Sequence, residues 1–288
     1  MYKVNKLTLT DHAYPQLLKH IPDAPETLYV RGSIEALSFN TSLSVVGSRK
    51  PTAYGRGVTE LLTREVAQKG IPIVSGLALG IDSIAHKAAL EVDCTTVAVL
   101  PGGLERIYPT SHRYIAETIL KQGGALVSEY PEGTPPIRSN FIARNRIVSG
   151  LTSATLITEA AQRSGTLHTA KFALEQGRSV LAVPGPITSP YSKGTNSLLS
   201  SGARIVTEAQ DILDEIGASD TNDLSQTELL AATEEEHVII ELLRDGVTDG
   251  RELLAKSKLE TSAFNQTMTM LEISGKISPL GADTWGLK

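Results

Sequence analysis

Cysteines, aromatic side chains and long apolar runs are scarce in this chain of 288 residues. Its single cysteine, Cys94, excludes a framework of internal disulfides and a zinc site built from several cysteines. No window approaches the roughly 20 apolar residues of a membrane-spanning helix, and the N-terminus lacks the apolar core of a signal peptide. We therefore expect a cytoplasmic protein that does not enter a membrane. The 6 histidines show neither HxH nor HxxxH spacing, so no metal site is predicted.

A positive net charge, which is typical of proteins that bind nucleic acids, is also missing, since the chain carries a net charge of −5. The acidic side chains are unevenly distributed. Residues 208–245 contain twelve of them beside one basic side chain, whereas residues 42–57 contain three basic side chains and no acid. Residues 138–178 contain six basic side chains against two acidic ones. Two inner segments are therefore locally positive.

Short apolar runs alternate with amphipathic stretches from residue 41 onward, which is typical of a parallel sheet covered by helices on both faces. The pattern predicts an α/β fold, with an extended Rossmann-like domain and a mostly parallel sheet over residues 41–215. Residues 1–40 contain several prolines and are expected to be a lead-in with little regular structure. Residues 216–232 are interpreted as an acidic linker. Residues 233–288 predict three short helices and a terminal hairpin, as in a small winged-helix-like domain.

Glycine-containing turns follow the first three apolar runs, with the sequences Val46-Gly47-Ser48-Arg49, Ser75-Gly76-Leu77 and Pro101-Gly102-Gly103. The carboxyl ends of parallel strands meet at one edge of a sheet, so these turns are expected to line a common crevice. In the first turn, glycine lets a phosphate approach the backbone, while Ser48 offers a hydroxyl and Arg49 a guanidinium. The spacing is not the GxGxxG of dinucleotide-binding proteins. An ordinary turn with a solvated arginine is the alternative.

The second turn leads into a predicted helix that carries Asp82 and, four residues later on the same face, His86. An Asp–His pair can act in acid–base catalysis. A structural hydrogen bond between the two side chains is the favoured interpretation, because an aspartate in the first turn of a helix is already stabilised by the helix dipole.

Residues 136–146, with the sequence PIRSNFIARNR, bring cations and an aromatic ring close together. Arg138 and Phe141 stand three residues apart at the predicted start of a helix. This combination suits single-stranded nucleic acid, since the arginine can bind a phosphate and the ring can stack on a base. Packing of Phe141 in the core is the alternative.

Two further arginines of this motif, Arg144 and Arg146, lie two residues apart and therefore on different faces of the helix. One of them is expected to point inward and to pair with Glu129 or Glu159.

A later turn, Arg163-Ser164-Gly165-Thr166, precedes another predicted helix. Backbone N–H groups at the start of a helix, together with nearby hydroxyls, can form a cradle for phosphate. Helix capping by Ser164 is the alternative.

In their order along the chain, these motifs resemble those of the DNA-processing protein A family (DprA, also called Smf). The resemblance covers roughly residues 13–215 and rests on GSR, SGLAxGID, PGGL, YP, SEY, FxARNRI, EAxxRSGT and VPG. It implies a homodimeric Rossmann-like protein that binds single-stranded DNA and delivers the recombinase RecA onto incoming DNA during natural transformation. It implies neither an enzyme nor a cofactor. Many members carry a helical N-terminal domain, for which this chain starts too late.

The resemblance implies DNA contacts by the first turn and by Arg138 and Phe141, with Arg144, Asn145 and Arg146 shaping the pocket. Arg138 stands where the family more often has lysine, and Gln162 stands where some members have lysine. The first departure preserves a phosphate contact, and the second weakens the case for one. The candidate DNA-binding residues are Gly47, Ser48, Arg49, Arg138, Phe141, Arg144, Asn145, Arg146, Arg163, Ser164, Gly165 and Thr166.

A nucleotide-binding hydrolase is the rival hypothesis from another class of protein. Related Rossmann-like enzymes that cleave nucleoside monophosphates carry PGGxGTxxE, whereas here Pro101-Gly102-Gly103 continues as Leu-Glu-Arg-Ile. The missing Gly-Thr and Glu count against this hypothesis. A reader of double-stranded DNA in the C-terminal part is a third possibility, but the predicted helices there balance lysine and arginine with glutamate.

Overall fold

The computed structural model describes residues 2–218, 234–244, 246–274, 276–281 and 284–287, and it divides the chain into two compact units after Ala218. The larger unit contains one nine-stranded sheet. Its strands are β1 (Val4–Thr8), β2 (Thr27–Gly32), β3 (Leu43–Val46), β4 (Ile73–Ser75), β5 (Thr96–Val99), β6 (Ala125–Ser128), β7 (Ala154–Ile157), β8 (Ser179–Ala182) and β9 (Arg204–Ile205).

Helices cover both faces of this sheet, together with short 3-10 turns at Glu35–Leu37 and Thr110–His112. The helices are α1 (Gln16–Lys19), α2 (Ala53–Gln68), α3 (Ile81–Leu90), α4 (Arg113–Lys121), α5 (Arg138–Gly150), α6 (Thr166–Glu175), α7 (Lys193–Ser200) and α8 (Ala209–Glu215).

The strands follow the order β1-β2-β6-β5-β4-β3-β7-β8-β9 across the sheet. All pairs from β6 to β9 are parallel, while β1 and β2 pair antiparallel at one end. The prediction of an α/β fold with a mostly parallel, Rossmann-like sheet is confirmed. Strand order reverses between β3 and β7, so their carboxyl ends flank the crevice where ligands bind in doubly wound sheets.

The central strands are buried throughout and mostly apolar because each of their faces is covered by a helix. All four residues of β3 are buried. Val45 packs in one cluster with Leu62 and Val66 of α2, whereas Val46 packs in another cluster with Ile147 of α5. Successive side chains of a strand point to opposite faces, so α2 and α5 lie on opposite sides of β3.

Residues 1–40 carry more regular structure than the sequence predicts, and the expectation of an irregular lead-in is wrong. Both β1 and β2 extend the sheet, with β2 pairing against β6. In β2, the buried Leu28 and Val30 alternate with the less buried Tyr29 and Arg31, the pattern of a strand with one covered face. The prolines stand between the two strands, where no sheet hydrogen bond is lost.

The smaller unit contains three helices and a two-stranded hairpin in its described residues, the order of elements that the sequence predicts. They are α9 (Glu234–Arg244), α10 (Gly250–Ser257), α11 (Thr261–Ile273), β10 (Ile277–Gly281) and β11 (Thr284–Leu287). Ile239, Leu253 and Leu271 are fully buried in its own apolar core. The winged-helix-like assignment stays a prediction. The predicted acidic linker lies outside the described residues beyond Ala218.

Across both units, the described residues contain no helix that is long and apolar enough to cross a membrane.

Candidate functional site

A cavity of about 1010 Å³ opens at the carboxyl ends of β3 and β7. Its walls come from residues 46–49 after β3, from the first turns of α5, and from residues 161–169 at the start of α6. Of the candidate residues, the cavity is lined by Gly47, Ser48, Arg49, Arg138, Phe141, Arg144, Asn145, Arg163, Ser164, Gly165 and Thr166. Arg146 does not line it. That these residues contact DNA stays a prediction.

The backbone of the first turn is held in place from three sides. The Ser48 N–H donates to the Glu159 carbonyl at 2.9 Å, and the Ser48 carbonyl accepts from the Ile81 N–H at 3.1 Å. The Thr166 hydroxyl donates to the Gly47 carbonyl at 2.9 Å. A Cβ at Gly47 would lie 2.6 Å from the Ile81 side chain, so only glycine fits there. The turn is therefore firmly held, and the Arg49 side chain that it carries is exposed.

The start of α2 is capped by a buried carboxylate. Both oxygens of Glu159 accept from the Thr52 N–H at 3.2 Å, and one also accepts from the Thr52 hydroxyl at 2.5 Å. The Thr52 hydroxyl in turn accepts from the Gly55 N–H. Glu159 therefore stabilises the helix N-terminus, where a negative charge is favoured. Of the two carboxylates that the sequence offers as partners for an arginine of α5, Glu159 is thus bound to Thr52 instead.

An aromatic and cationic cluster lies on one wall of the cavity. The Arg49 guanidinium lies 5.4 Å from the centroid of the Phe141 ring, within the range of a cation–π interaction. The Tyr108 ring meets Phe141 edge to face, with centroids 5.4 Å apart and planes at 74°. Phe141 is only half-buried, so it is a wall of the cavity and not a core residue. Sequence reasoning missed Tyr108 as a lining residue, because its sequence position gives no sign that it reaches α5.

Arg144 forms the floor of the cavity and has 3% of its surface exposed. Its Nη1 donates to the carbonyls of Gly76 and Val99, and its Nε donates to Asn145 Oδ1 at 3.2 Å. Burial lowers the pKa of Arg144 to about 10. These bonds tie α5 to the ends of β4 and β5. The side chain therefore supports the site from beneath and offers little surface to a ligand.

The buried carboxylate of Asp82 lies close enough to this guanidinium for the two charges to interact. Burial raises the pKa of Asp82, and the positive charge of Arg144 opposes that rise. Asp82 also accepts hydrogen bonds from the N–H groups of Gly76 and Ala78, at 3.1 and 3.3 Å. The pair is thus part of the scaffold under the cavity.

His86 does not hydrogen-bond Asp82, and the structural bond predicted between them is wrong. Its Nδ1 lies 2.7 Å from the Thr96 hydroxyl, which itself donates to the Ile73 carbonyl. The imidazole must therefore donate this bond. Burial, and then the nearby charge of His112, lower the pKa of His86 to about 3, so that the ring is neutral. His86 does not line the cavity.

Arg146 points inward as well, toward the N-terminal segment and away from the cavity. Two guanidinium nitrogens donate to the two oxygens of Glu129, each at 2.8 Å, and Nε donates to Asp23 Oδ2 at 2.9 Å. The predicted pairing with Glu129 is confirmed. This bidentate ion pair keeps Arg146 out of the cavity lining, and its predicted role in shaping the pocket stays a prediction.

The turn before α6, residues 163–166, also lines this cavity. The Ser164 hydroxyl accepts from the Thr166 N–H at 3.2 Å and donates to the Thr166 hydroxyl at 3.0 Å. Gly165, not Ser164, occupies the N-cap position of α6. Arg163 is exposed at the rim. The turn can therefore present a cation and the start of a helix to an anion.

The described part of the cavity wall is positive although the whole chain is negative. It holds four arginines, Arg49, Arg138, Arg144 and Arg163, and one carboxylate, the buried Asp82. The glycine turn at Pro101, on which the hydrolase hypothesis rested, is buried and does not line this cavity.

The fold and the cavity define a doubly wound α/β protein with an arginine-lined crevice at the point where strand order reverses. A model of the DNA recombination-mediator protein A family matches residues 5–217. The chain belongs to this family. The smaller C-terminal unit lies beyond the matched residues.

Curated relatives share the larger unit. Protein Smf of Escherichia coli (strain K12) is 49% identical over 203 residues, which cover 70% of this chain and 54% of that protein. DNA processing protein DprA of Bacillus subtilis (strain 168) is 40% identical over 213 residues, covering 74% of this chain and 71% of that protein. The chain thus spans only about half the length of the Escherichia coli relative.

Solved structures show the same fold. DNA processing protein A from Streptococcus pneumoniae matches with a TM-score of 0.70 and 38% identity, over 74% of this chain and 75% of that one. DNA processing protein A from Helicobacter pylori matches with a TM-score of 0.67 and 32% identity, over 74% of this chain and 95% of that one. The latter structure concerns the binding of single-stranded DNA by the Helicobacter pylori protein.

Proposed function

We propose that this chain is a recombination mediator that binds single-stranded DNA in the cavity at β3 and β7, without catalysing a reaction. The observation that carries the proposal is the pairing of Arg49 with the half-buried ring of Phe141 inside a positive cavity. A cation for the phosphates beside a ring for the bases is the combination that single-stranded DNA requires. The relative from Helicobacter pylori, 32% identical, gives independent support.

Fluorescence anisotropy with a labelled oligo-dT tests this proposal. We expect micromolar or tighter binding that weakens as salt is raised, with a log–log slope of about −0.7 for each phosphate contact. A duplex of the same length is the control, because its stacked bases cannot reach the Phe141 ring. Failure to bind the oligomer at low salt would refute the proposed function.

Delivery of RecA onto incoming DNA during natural transformation is the finer part of the proposal, and family membership supports it. RecA assembly on single-stranded DNA should be faster in the presence of the chain. A variant that lacks Arg49 and Arg138 should lose this effect, because mediation requires the DNA to be held. Equal assembly rates with and without the chain would remove RecA from the proposal.

The homodimer is also a proposal, and the open edge of the sheet at β9 is its most suitable surface. Leu174 and Ile205 have 62% and 49% of their surfaces exposed, beside a shallow cavity of about 690 Å³ that Val180 and Leu199 also line. An edge strand with apolar neighbours favours pairing with another chain.

An Ile205→Asp substitution should convert a dimer into a monomer, because a charge at the centre of an apolar contact would be buried without a partner. Sedimentation velocity measures the change. Ile187→Asp is the matched control, since Ile187 is 87% exposed and lines neither cavity. A monomeric wild-type chain would refute the dimer, whereas a dimeric Ile205→Asp variant would refute only this surface.

A further inference from the structure

The side-chain amide of Asn145 has a fixed orientation in the cavity wall. Its Oδ1 accepts from Arg144 Nε at 3.2 Å. A guanidinium has donors only, so the oxygen of the amide must face Arg144 and the nitrogen must face the other way. Within the described residues, Asn145 Nδ2 has no hydrogen-bond partner, and the half-buried side chain lines the cavity. The free N–H donors of this amide are therefore on Nδ2, while its oxygen is oriented toward Arg144.

The position of Asn145 along α5 places these donors beside the stacking ring. Asn145 follows Phe141 by four residues, and residues four apart are neighbours on one helix face. Arg138 precedes Phe141 by three residues and is exposed at the start of α5, whereas Asn145 is half-buried one turn further in. A nucleotide with its phosphate at Arg138 and its base on Phe141 would bring the base edge farthest from the sugar to Asn145.

We infer that Asn145 donates a hydrogen bond to the keto oxygen of the base stacked on Phe141, so that this subsite prefers thymine and guanine to cytosine and adenine. The inference rests on the proposed binding of single-stranded DNA. Asparagine recognises adenine through its oxygen and its nitrogen together, and here the oxygen is already held by Arg144. The exocyclic amine of cytosine or adenine would meet the amide donor to donor, which leaves both groups unsatisfied.

Two homopolymers of twelve nucleotides, one of thymidine and one of 5-methyldeoxycytidine, provide the test. Both bases carry the same ring and methyl group and differ at the pairing edge, where a carbonyl is replaced by an amine. Because every position is identical, the register of the strand does not matter. Anisotropy titrations of the full chain should give about 5-fold tighter binding of the thymidine oligomer, as expected for one hydrogen bond.

Substitutions at Asn145 should change this ratio in opposite directions. Asn145→Leu removes the donors at similar volume, so the ratio should fall to about 1. Asn145→Asp keeps an acceptor for Arg144 but turns an oxygen toward the base, so 5-methyldeoxycytidine should become the preferred oligomer. Because the two oligomers are compared on the same variant, the ratio of their affinities is unaffected by any general loss of affinity from the altered charge. Gln162→Leu, which removes an amide from another segment of the cavity lining, is the control and should keep the wild-type ratio.

The possible outcomes distinguish a failure of the Asn145 inference from a failure of the proposed single-stranded DNA binding. Equal affinities of the wild-type chain for the two oligomers would overturn the inference and leave single-stranded DNA binding intact. A thymidine preference that persists in both Asn145 variants would also overturn the inference. The preference would then arise from the oligomers themselves and not from the Asn145 side chain. Absence of binding to either oligomer would refute the proposed function itself.

Discussion

Replacing both Arg49 and Arg138 by alanine is expected to weaken the binding of a twelve-nucleotide thymidine oligomer about 100-fold. Both side chains are exposed and line the cavity from different segments, so each can bind its own phosphate. At exposed positions the loss of a hydrogen bond to a charged group is taken at the lower end of its range, about 1.5 kcal/mol or about 10-fold in the dissociation constant, and two such losses multiply to about 100-fold. The slope of log affinity against log salt should also become shallower by about 1.4, since two phosphate contacts are lost.

The control for this experiment removes the same charge elsewhere. Arg113 and Lys171 have side chains that are 77% and 72% exposed, and neither lines the cavity. Alanine at both of these positions should leave the affinity within a few-fold of wild type, through long-range attraction alone. Wild-type affinity of the Arg49 and Arg138 double variant would refute the site. An equal loss in the control would show that only net charge matters.

The sheet could be predicted from the sequence where its strands are buried on both faces. Runs such as Leu43–Val46 and Ala154–Ile157 are mostly apolar, and that pattern can be recognised without knowledge of the neighbouring strands. β1 and β2 were not predicted because one of their faces is less covered and because β2 pairs with β6, about a hundred positions away along the chain. The local sequence pattern does not indicate which distant strand will be the partner.

In the candidate site, too, the local motifs could be predicted from the sequence, whereas contacts between distant residues could not. The glycine turn after β3 and the basic motif at the start of α5 are visible in the sequence, and the fold brings them to one cavity. The sequence does not reveal that Tyr108 contacts Phe141, or that Arg146 turns away to Glu129. Both facts depend on loops whose paths are set by tertiary packing.

The arginines of α5 and its neighbouring turn differ in role because they differ in solvation. Arg49 and Arg138 are exposed and keep their charges available to a ligand, whereas Arg144 and Arg146 are buried with their donors already used by carbonyls and carboxylates. These four arginines therefore form two groups. The outer pair, Arg49 and Arg138, is available to phosphates, and the inner pair, Arg144 and Arg146, holds α5 in place.

An Arg144→Leu substitution is expected to lower the free energy of unfolding by about 3–5 kcal/mol, because buried hydrogen bonds to a charged group are lost and a nearby buried carboxylate loses a compensating charge. The loss leaves the carbonyls of Gly76 and Val99 without a donor and Asp82 without its compensating charge. Urea denaturation measures the change. Arg163→Leu is the control, because its side chain is exposed and its loss should stay within about 0.5 kcal/mol.

The pH dependence of this loss identifies Asp82 as the group left uncompensated. A carboxyl whose pKa is raised by folding binds its proton more tightly in the folded than in the unfolded chain, so the free energy of unfolding falls as pH rises between the two pKa values. The pKa of Asp82 is already raised in the wild type, and loss of the guanidinium should raise it further. The difference between wild type and Arg144→Leu should therefore shrink as the pH is lowered.

Removing the second charge should restore part of the lost stability. In an Asp82→Asn, Arg144→Leu double variant, the amide oxygen can still accept from the N–H groups of Gly76 and Ala78, but no buried charge remains. We expect the double variant to be more stable than Arg144→Leu by roughly 1–2 kcal/mol at neutral pH. A double variant less stable than the single one would show that the orphaned carbonyls, and not the buried charge of Asp82, account for the role of Arg144.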